Sequence, residues 1–259
     1  MKYSISNIAW DKNHDLEMYQ FLKDNNISGL EIAPTRLFSD PYENIESAQL
    51  YASMIKNRFG LDICSMQSIW FGKTGNIFNA EDRHDLLEYT KKAMDFAHAL
   101  GIKNLVFGCP KNRNMPEGAS EDDVIEFFRE LGDYAQSKNT VLALEANPTI
   151  YNTNFLNTTK DACEFCKKID NQGVKVNIDF GTIICNNENP HVIKTYKNYV
   201  NHIHLSMPNL EYVEKVKEHQ TLKKVLGKID YDGYLSIEMK NQNDIDKVKQ
   251  AILYLKENF

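Results

Sequence analysis

The sequence has no apolar run approaching the ~18 residues that a membrane-spanning helix needs. It opens on Met1-Lys2-Tyr3-Ser4-Ile5, already strand-like, rather than on a charged and then apolar leader. A cytoplasmic protein without a membrane partner is the expectation. An excess of basic side chains is also missing. Lys and Arg number 30 against 36 Asp and Glu, a net charge of −6, whereas nucleic-acid binding rests on clustered cations. Nucleic acid is therefore not an expected partner, although one or two local cations would suffice for a phosphorylated small molecule. Cysteine is sparse, odd in number and scattered (Cys64, Cys109, Cys163, Cys166, Cys185), which argues against a disulfide framework. The one C-x-x-C, Cys163 to Cys166, falls within an expected helix, Thr159–Ile169. It has no second pair to complete a zinc site and reads as two small core residues. No Pro/Gly/Ser linker, low-complexity tract or charge block interrupts the chain, so 1–259 is expected to be one domain. No G-x-G-x-x-G follows the first strand-like run and no G-x-x-x-x-G-K-[ST] occurs, which removes the main support for nucleotide-binding open sheets.

What is present is a regular alternation. Hydrophobic residues make up 42% and aromatics 11%, enough for a full core. Eight short apolar, β-branched runs are expected as strands: Tyr3–Ala9, Gly29–Ile32, Asp62–Ser65, Asn104–Phe107, Val141–Glu145, Lys175–Asp179, Asn201–Leu205 and Tyr234–Glu238. Helical patterns lie between them. Leu86, Tyr89, Ala93, Phe96, Ala97 and Leu100 recur at three- and four-residue steps, as do Ile245, Val248, Ile252 and Leu255. Eight strand–helix units predict an α/β fold, a single (β/α)₈ TIM barrel. The two long connections, Trp70–Ala80 and Cys109–Ser120, follow strands and so belong at the C-terminal mouth, where such barrels keep their chemistry.

The last four strands end alike. Leu142-Ala143-Leu144 stops on Glu145, Val176-Asn177-Ile178 on Asp179, His202-Ile203 on His204, and Leu235-Ser236-Ile237 on Glu238. A carboxylate that closes a buried strand is costly unless it is paired or binds a cation. Each residue alone reads as an ordinary strand-end group. Four on successive strands read as one rim, with Glu145, Asp179, His204 and Glu238 as ligands of a single divalent metal. Three carboxylates and an imidazole suit Mn²⁺, Mg²⁺ or Co²⁺, with Zn²⁺ admissible. His202, two residues before His204, points to the same side one layer deeper.

With these strand ends, the segments Leu144-Glu145-Ala146-Asn147-Pro148, Tyr151, Asn157-Thr158-Thr159, Ile178-Asp179 and Ile229-Asp230-Tyr231-Asp232-Gly233-Tyr234 resemble the sugar phosphate isomerase/epimerase family over essentially the whole chain. These are xylose isomerase-like TIM barrels that include ketose 3-epimerases. The resemblance implies the same four metal ligands, Glu145 and Glu238 as the catalytic acid/base pair, a small carbohydrate substrate, and a homodimer as a possible assembly. It implies an isomerase or epimerase that removes a proton α to a carbonyl through a metal-stabilised enediolate. Two positions depart from the pattern. Thr182 stands where the family often has a histidine, and Leu210 where the ketose epimerases have an arginine. The metal frame is kept and the substrate frame altered. A dehydratase of the same fold, a non-catalytic sugar-binding barrel and, less favoured, an AP endonuclease-like enzyme are the alternatives.

Further mouth residues are expected to bind substrate: Trp10, Glu31, Gln67, Trp70, Asn147 and Lys240. Trp70 and Phe71 offer an aromatic wall for a sugar face or a packed loop, and Lys240 a site cation or a salt bridge. Lys111 and Arg113 read as solvated loop charges, with phosphate or carboxylate binding the alternative. His219 reaches the mouth only if its loop folds over. His14, His84, His98 and His191 read as solvated or packed.

Overall fold

The computed structural model describes all 259 residues. Eight parallel strands close into a barrel in sequence order: β1 (Lys2–Ser6), β2 (Gly29–Ile32), β3 (Asp62–Met66), β4 (Asn104–Phe107), β5 (Leu142–Glu145), β6 (Val174–Asp179), β7 (Val200–Ser206) and β8 (Tyr234–Glu238). Between and after them run α1 (Asp15–Asp24), α2 (Pro34–Leu37), α3 (Ile45–Phe59), α4 (Ala80–Leu100), α5 (Ile125–Ser137), α6 (Thr159–Ile169), α7 (Phe180–Cys185), α8 (Val192–Thr195), α9 (Lys217–Lys228) and α10 (Ile245–Asn258). No helix is long and apolar enough to cross a membrane.

Local chemistry sets the boundaries. Asn79 opens α4 by accepting a hydrogen bond from the Glu81 amide, and Gly101 closes it at φ +75°, where a Cβ would be strained. Thr158 and Asp161 form a reciprocal capping box on α6. Within that helix Cys163 and Cys166 are buried, as their spacing predicts. The expected first strand ends early: Asn7–Ala9 form a 3₁₀ turn whose buried Asn7 side chain accepts the Ala33 amide.

Period-two alternation divides the strands between two environments. Ile5, Leu30, Leu144, Ile178, Ile203, Leu205 and Ile237 belong to the continuous hydrophobic core, facing the helices. Their neighbours Ser6, Glu31, Glu145, Asn177, His202, His204 and Glu238 are buried polar residues. Most barrels of this type fill their interior with branched apolar side chains; this one carries a polar column there. Ser4 Oγ, Glu31 Oε1, Asn177 Oδ1, His202 Nε2 and Ser236 Oγ have no hydrogen-bond partner, a concentration of cost that points to function.

Candidate metal and active site

Parallel register brings the strand ends together: Glu145 lies opposite Asn177, Asp179 opposite His204, and Ser206 opposite Glu238. His204 is fully buried at the centre. Its Nδ1 lies 3.1 Å from Glu145 Oε1 and 3.0 Å from Glu238 Oε2, and the ligand atoms of these three residues all fall within 4.8 Å of one another. Its Nε2 lies 3.0 Å from Glu31 Oε2 on β2. Burial alone would lower the His204 pKa, but Glu238, Glu31 and Glu145 outweigh it and hold it well above the ordinary imidazole value. Burial raises Glu238 above the usual carboxylate range against the pull of His204.

Above this group opens a cavity of about 180 Å³ lined by Gln67, Gly108, Glu145, Asn147, Tyr151, Asp179, Leu210 and Glu238 among others. Three carboxylates face it and no lysine or arginine does. Two carboxylates and one imidazole nitrogen converging in a pocket that no lysine or arginine enters are a fitting donor set for a divalent ion. A larger hollow, about 500 Å³ around Lys56, Asp62 and Ala99, lies between α3 and α4 and gathers no such group.

Asp179 enters the pocket but stands apart from the trio. Its Oδ2 caps α7, accepting from the Thr182 amide (2.8 Å) and hydroxyl (2.7 Å), and its Oδ1 accepts from Ser206 Oγ. Burial and the nearby Glu145 raise its pKa. Thr182, at the position where the resembling family carries histidine, therefore binds this carboxylate. Each carboxylate oxygen keeps a second lone pair, so the capping role leaves coordination open.

Glu145 is held from several sides. Asn177 Nδ2 donates to its Oε1 at 2.6 Å and Asn147 Nδ2 to its Oε2 at 3.3 Å. A Cβ at Gly108 would lie 2.8 Å from that Oε2, so a larger residue there would push the carboxylate from this position. Arg113 donates to the Glu145 carbonyl at 2.8 Å and to Asn147 Oδ1 at 2.9 Å. Arg113 is fully buried, contrary to the expected solvated loop charge, because the loop after β4 carries it against the end of β5. Ser68, Cys109 and Leu210 line the pocket at φ +55°, +46° and +54°, a conformation costing non-glycine residues about 1–2 kcal/mol each and recurrent at functional sites.

The remaining expected substrate contacts divide. Gln67 and Asn147 line the pocket. Glu31 lies beneath it, fully buried against His202 and His204. Trp70 is buried, stacks edge-on against Phe107 and donates to Thr90 Oγ1 at 2.9 Å; it packs its loop, and only Phe71, 71% exposed, remains outside. Trp10 is buried against Tyr19 with its indole N–H on Asp15, beside a separate hollow. Lys240 pairs with Glu211 at the surface. His219 lies behind the barrel wall, 2.8 Å from the Tyr254 hydroxyl. Asn177, Gly108 and Ser206 join the site beyond the residues the sequence singles out, and Tyr151, which stands out there only within the resembling segment, lines the pocket. The period-two rule that joins His202 to His204 also joins Asn177 to Asp179 and would have found the first.

Comparison with known proteins agrees with this architecture. The family model for xylose isomerase-like TIM barrels matches residues 19–258. None of the curated proteins matches the chain in sequence. Among solved structures, a 3-keto-D-glucoside 4-epimerase from E. coli superposes with a TM-score of 0.79 at 20% identity, covering 99% of each chain. A D-psicose 3-epimerase from Clostridium cellulolyticum H10 gives 0.80 at 15%, covering 100% of this chain and 98% of its own. A family 2 AP endonuclease from Brucella melitensis gives 0.77 at 18%, covering 99% of each. At these identities the likeness speaks for the fold, and with the family match over most of its length the chain belongs to the xylose isomerase-like TIM barrels.

Proposed function

We propose that this protein is a divalent-metal-dependent isomerase or epimerase of a small sugar or sugar derivative. The observation that carries the reading is the pair Glu145 and Glu238, which reach the same imidazole nitrogen from β5 and β8 while both line the pocket. Structural likeness to proteins named as sugar epimerases supports the same class. A divalent ion held by Glu145, His204 and Glu238, with Asp179 as fourth ligand, would polarise a substrate carbonyl and stabilise negative charge on its oxygen.

The chain's own residues supply the proton chemistry. One glutamate takes the proton α to the carbonyl, and the other returns one from the opposite side, inverting that carbon. Return to the adjacent carbon instead gives the aldose–ketose isomer. Asn177 and Asn147 hold Glu145 in place. Gln67 and Tyr151 offer hydrogen bonds to substrate hydroxyls, and the pocket's want of lysine and arginine favours an unphosphorylated substrate.

The test is incubation with Mn²⁺ and a panel of ketoses, aldoses and cyclitol ketones in D₂O, followed by NMR. Deuterium at the carbon beside the carbonyl in a recovered isomer is expected, and Glu145→Gln or Glu238→Gln should slow exchange about 10²–10⁴-fold. Full turnover in both variants on a substrate the wild type accepts would sink the proposal. Loss of water from the substrate would instead identify a dehydratase, and binding without exchange a sugar-binding barrel. The AP endonuclease reading has a neighbour of the same fold, but net charge −6 and a mouth lined by carboxylates oppose a phosphodiester.

A further inference from the structure

Glu31 is a fully buried carboxylate without a lysine or arginine partner, and it does not line the pocket. Two imidazoles lie within 3.2 Å of it: His204 Nε2 at 3.0 Å and His202 Nε2 at 3.2 Å, both from the same oxygen, Oε2. Burying such a group is expensive, and substrate contact does not account for it.

The geometry at His204 does. A carboxylate only accepts, so the nitrogen 3.0 Å away must carry the hydrogen. In a neutral imidazole that leaves the lone pair on Nδ1, facing the gap between Glu145 and Glu238. Asn177 Nδ2, 3.2 Å from Nδ1, is a donor compatible with that lone pair. Nδ1, 3.1 Å from Glu145 Oε1 and 3.0 Å from Glu238 Oε2, therefore needs a proton or a metal cation between itself and these carboxylates. His202 packs edge-on against the ring, centroids 5.4 Å apart at 89°.

We infer that Glu31 is a positioning residue: by accepting the Nε2–H of His204 it fixes the tautomer and ring orientation that present Nδ1 to the divalent ion. The inference rests on the metal reading proposed above. Outer acceptors of this kind typically change metal affinity 10–100-fold when mutated. Glu31→Gln keeps the shape but removes the charge, leaving an amide oxygen, a weaker acceptor than a carboxylate, for the two imidazoles that share Oε2.

The experiment is Mn²⁺ titration of wild type, Glu31→Gln and Ser236→Ala, with circular dichroism of each metal-free protein. Ser236 is equally buried, on β8, with an unpartnered hydroxyl, and controls for general disturbance of the barrel interior. The expected result is an affinity about 10–100-fold weaker in Glu31→Gln, unchanged in Ser236→Ala, with native secondary structure in both. Equal affinity in wild type and folded Glu31→Gln overturns the inference alone. Wild type that takes up no Mn²⁺ overturns the metal reading, and this inference with it. Should Glu31→Gln fail to fold, ¹⁵N NMR of wild type loaded with Mg²⁺ decides. A hydrogen-bonded proton on His204 Nε2 supports the assignment, and a proton on Nδ1 refutes it.

Discussion

Replacing Arg113 by methionine should destabilise the protein and loosen Glu145 together. The guanidinium is fully buried, donates to the Glu145 carbonyl, to Asn147 Oδ1 and, at 3.5 Å, to the Leu156 carbonyl. Burial pulls its pKa down to about 10, so it stays charged at neutral pH. Two good hydrogen bonds from a charged donor are worth about 1.5–3 kcal/mol each. Removing the charge also relieves its desolvation, which offsets part of the loss. A net cost of about 2–4 kcal/mol follows, and at about 2–4 °C per kcal/mol for a chain near this size the melting temperature should fall by roughly 5–15 °C. Mn²⁺ affinity should fall too, because the strand end carrying Glu145 loses its brace. Arg113→Lys keeps the charge without the planar fork and should lie between. Thermal unfolding followed by circular dichroism, with Mn²⁺ titration, reads both effects. A melting temperature within about 2 °C of wild type, which corresponds to 1 kcal/mol or less, would refute the claim that this buried cation braces the site.

Other perturbations test separate parts of the account. Gly108→Ala should push the Glu145 carboxylate aside, since its Cβ would lie 2.8 Å from Oε2; Mn²⁺ affinity is expected to drop while secondary structure is kept, and unchanged affinity would show that the carboxylate has room to move. Trp70→Phe should cost about 1 kcal/mol through the lost bond to Thr90, and Lys240→Ala almost nothing, its ion pair being half exposed; an effect of Lys240→Ala on substrate affinity would return it to the site. His219 is lowered from 6.5 to about 4 by burial. As pH falls below 6.5 the unfolded chain takes up this proton first, so the neutral residue's stabilisation is complete above pH 6.5 and lost progressively toward pH 4. The shift is worth about 3 kcal/mol. Chemical denaturation across that range should show wild type losing more stability than His219→Phe, and parallel curves would contradict the assignment.

The barrel itself was legible because each strand alternates an apolar residue for the helices with a polar one for the interior, and because Gly29–Ile32, Asn104–Phe107 and Tyr234–Glu238 are bounded as their sequences indicate. The candidate site was legible where chemistry coincided with a strand end, at Glu145, His204 and Glu238. Asp179 carried a second signal, since an aspartate three residues before Thr182 is a helix N-cap pattern. Loop residues were harder to read. Trp10 and Trp70 follow strands as substrate-binding aromatics do, and nothing local reveals that their indole N–H groups find Asp15 and Thr90 inside the fold. Arg113 looked solvated because its partners are backbone carbonyls and an amide 32 to 43 residues away. Glu31 looked like a mouth residue because its strand ends one residue later, but His204 on β7 reaches over it, a relation of barrel geometry rather than of sequence spacing.

The central claim is that Glu145, His204 and Glu238 hold one divalent ion. Elemental analysis of the purified protein, beside the Glu145→Gln/Glu238→Gln double variant and after soaking both in Mn²⁺, tests it most directly. One equivalent of metal in the wild type, lost or weakened in a folded double variant, is the predicted result. No metal as purified and none after soaking would contradict it.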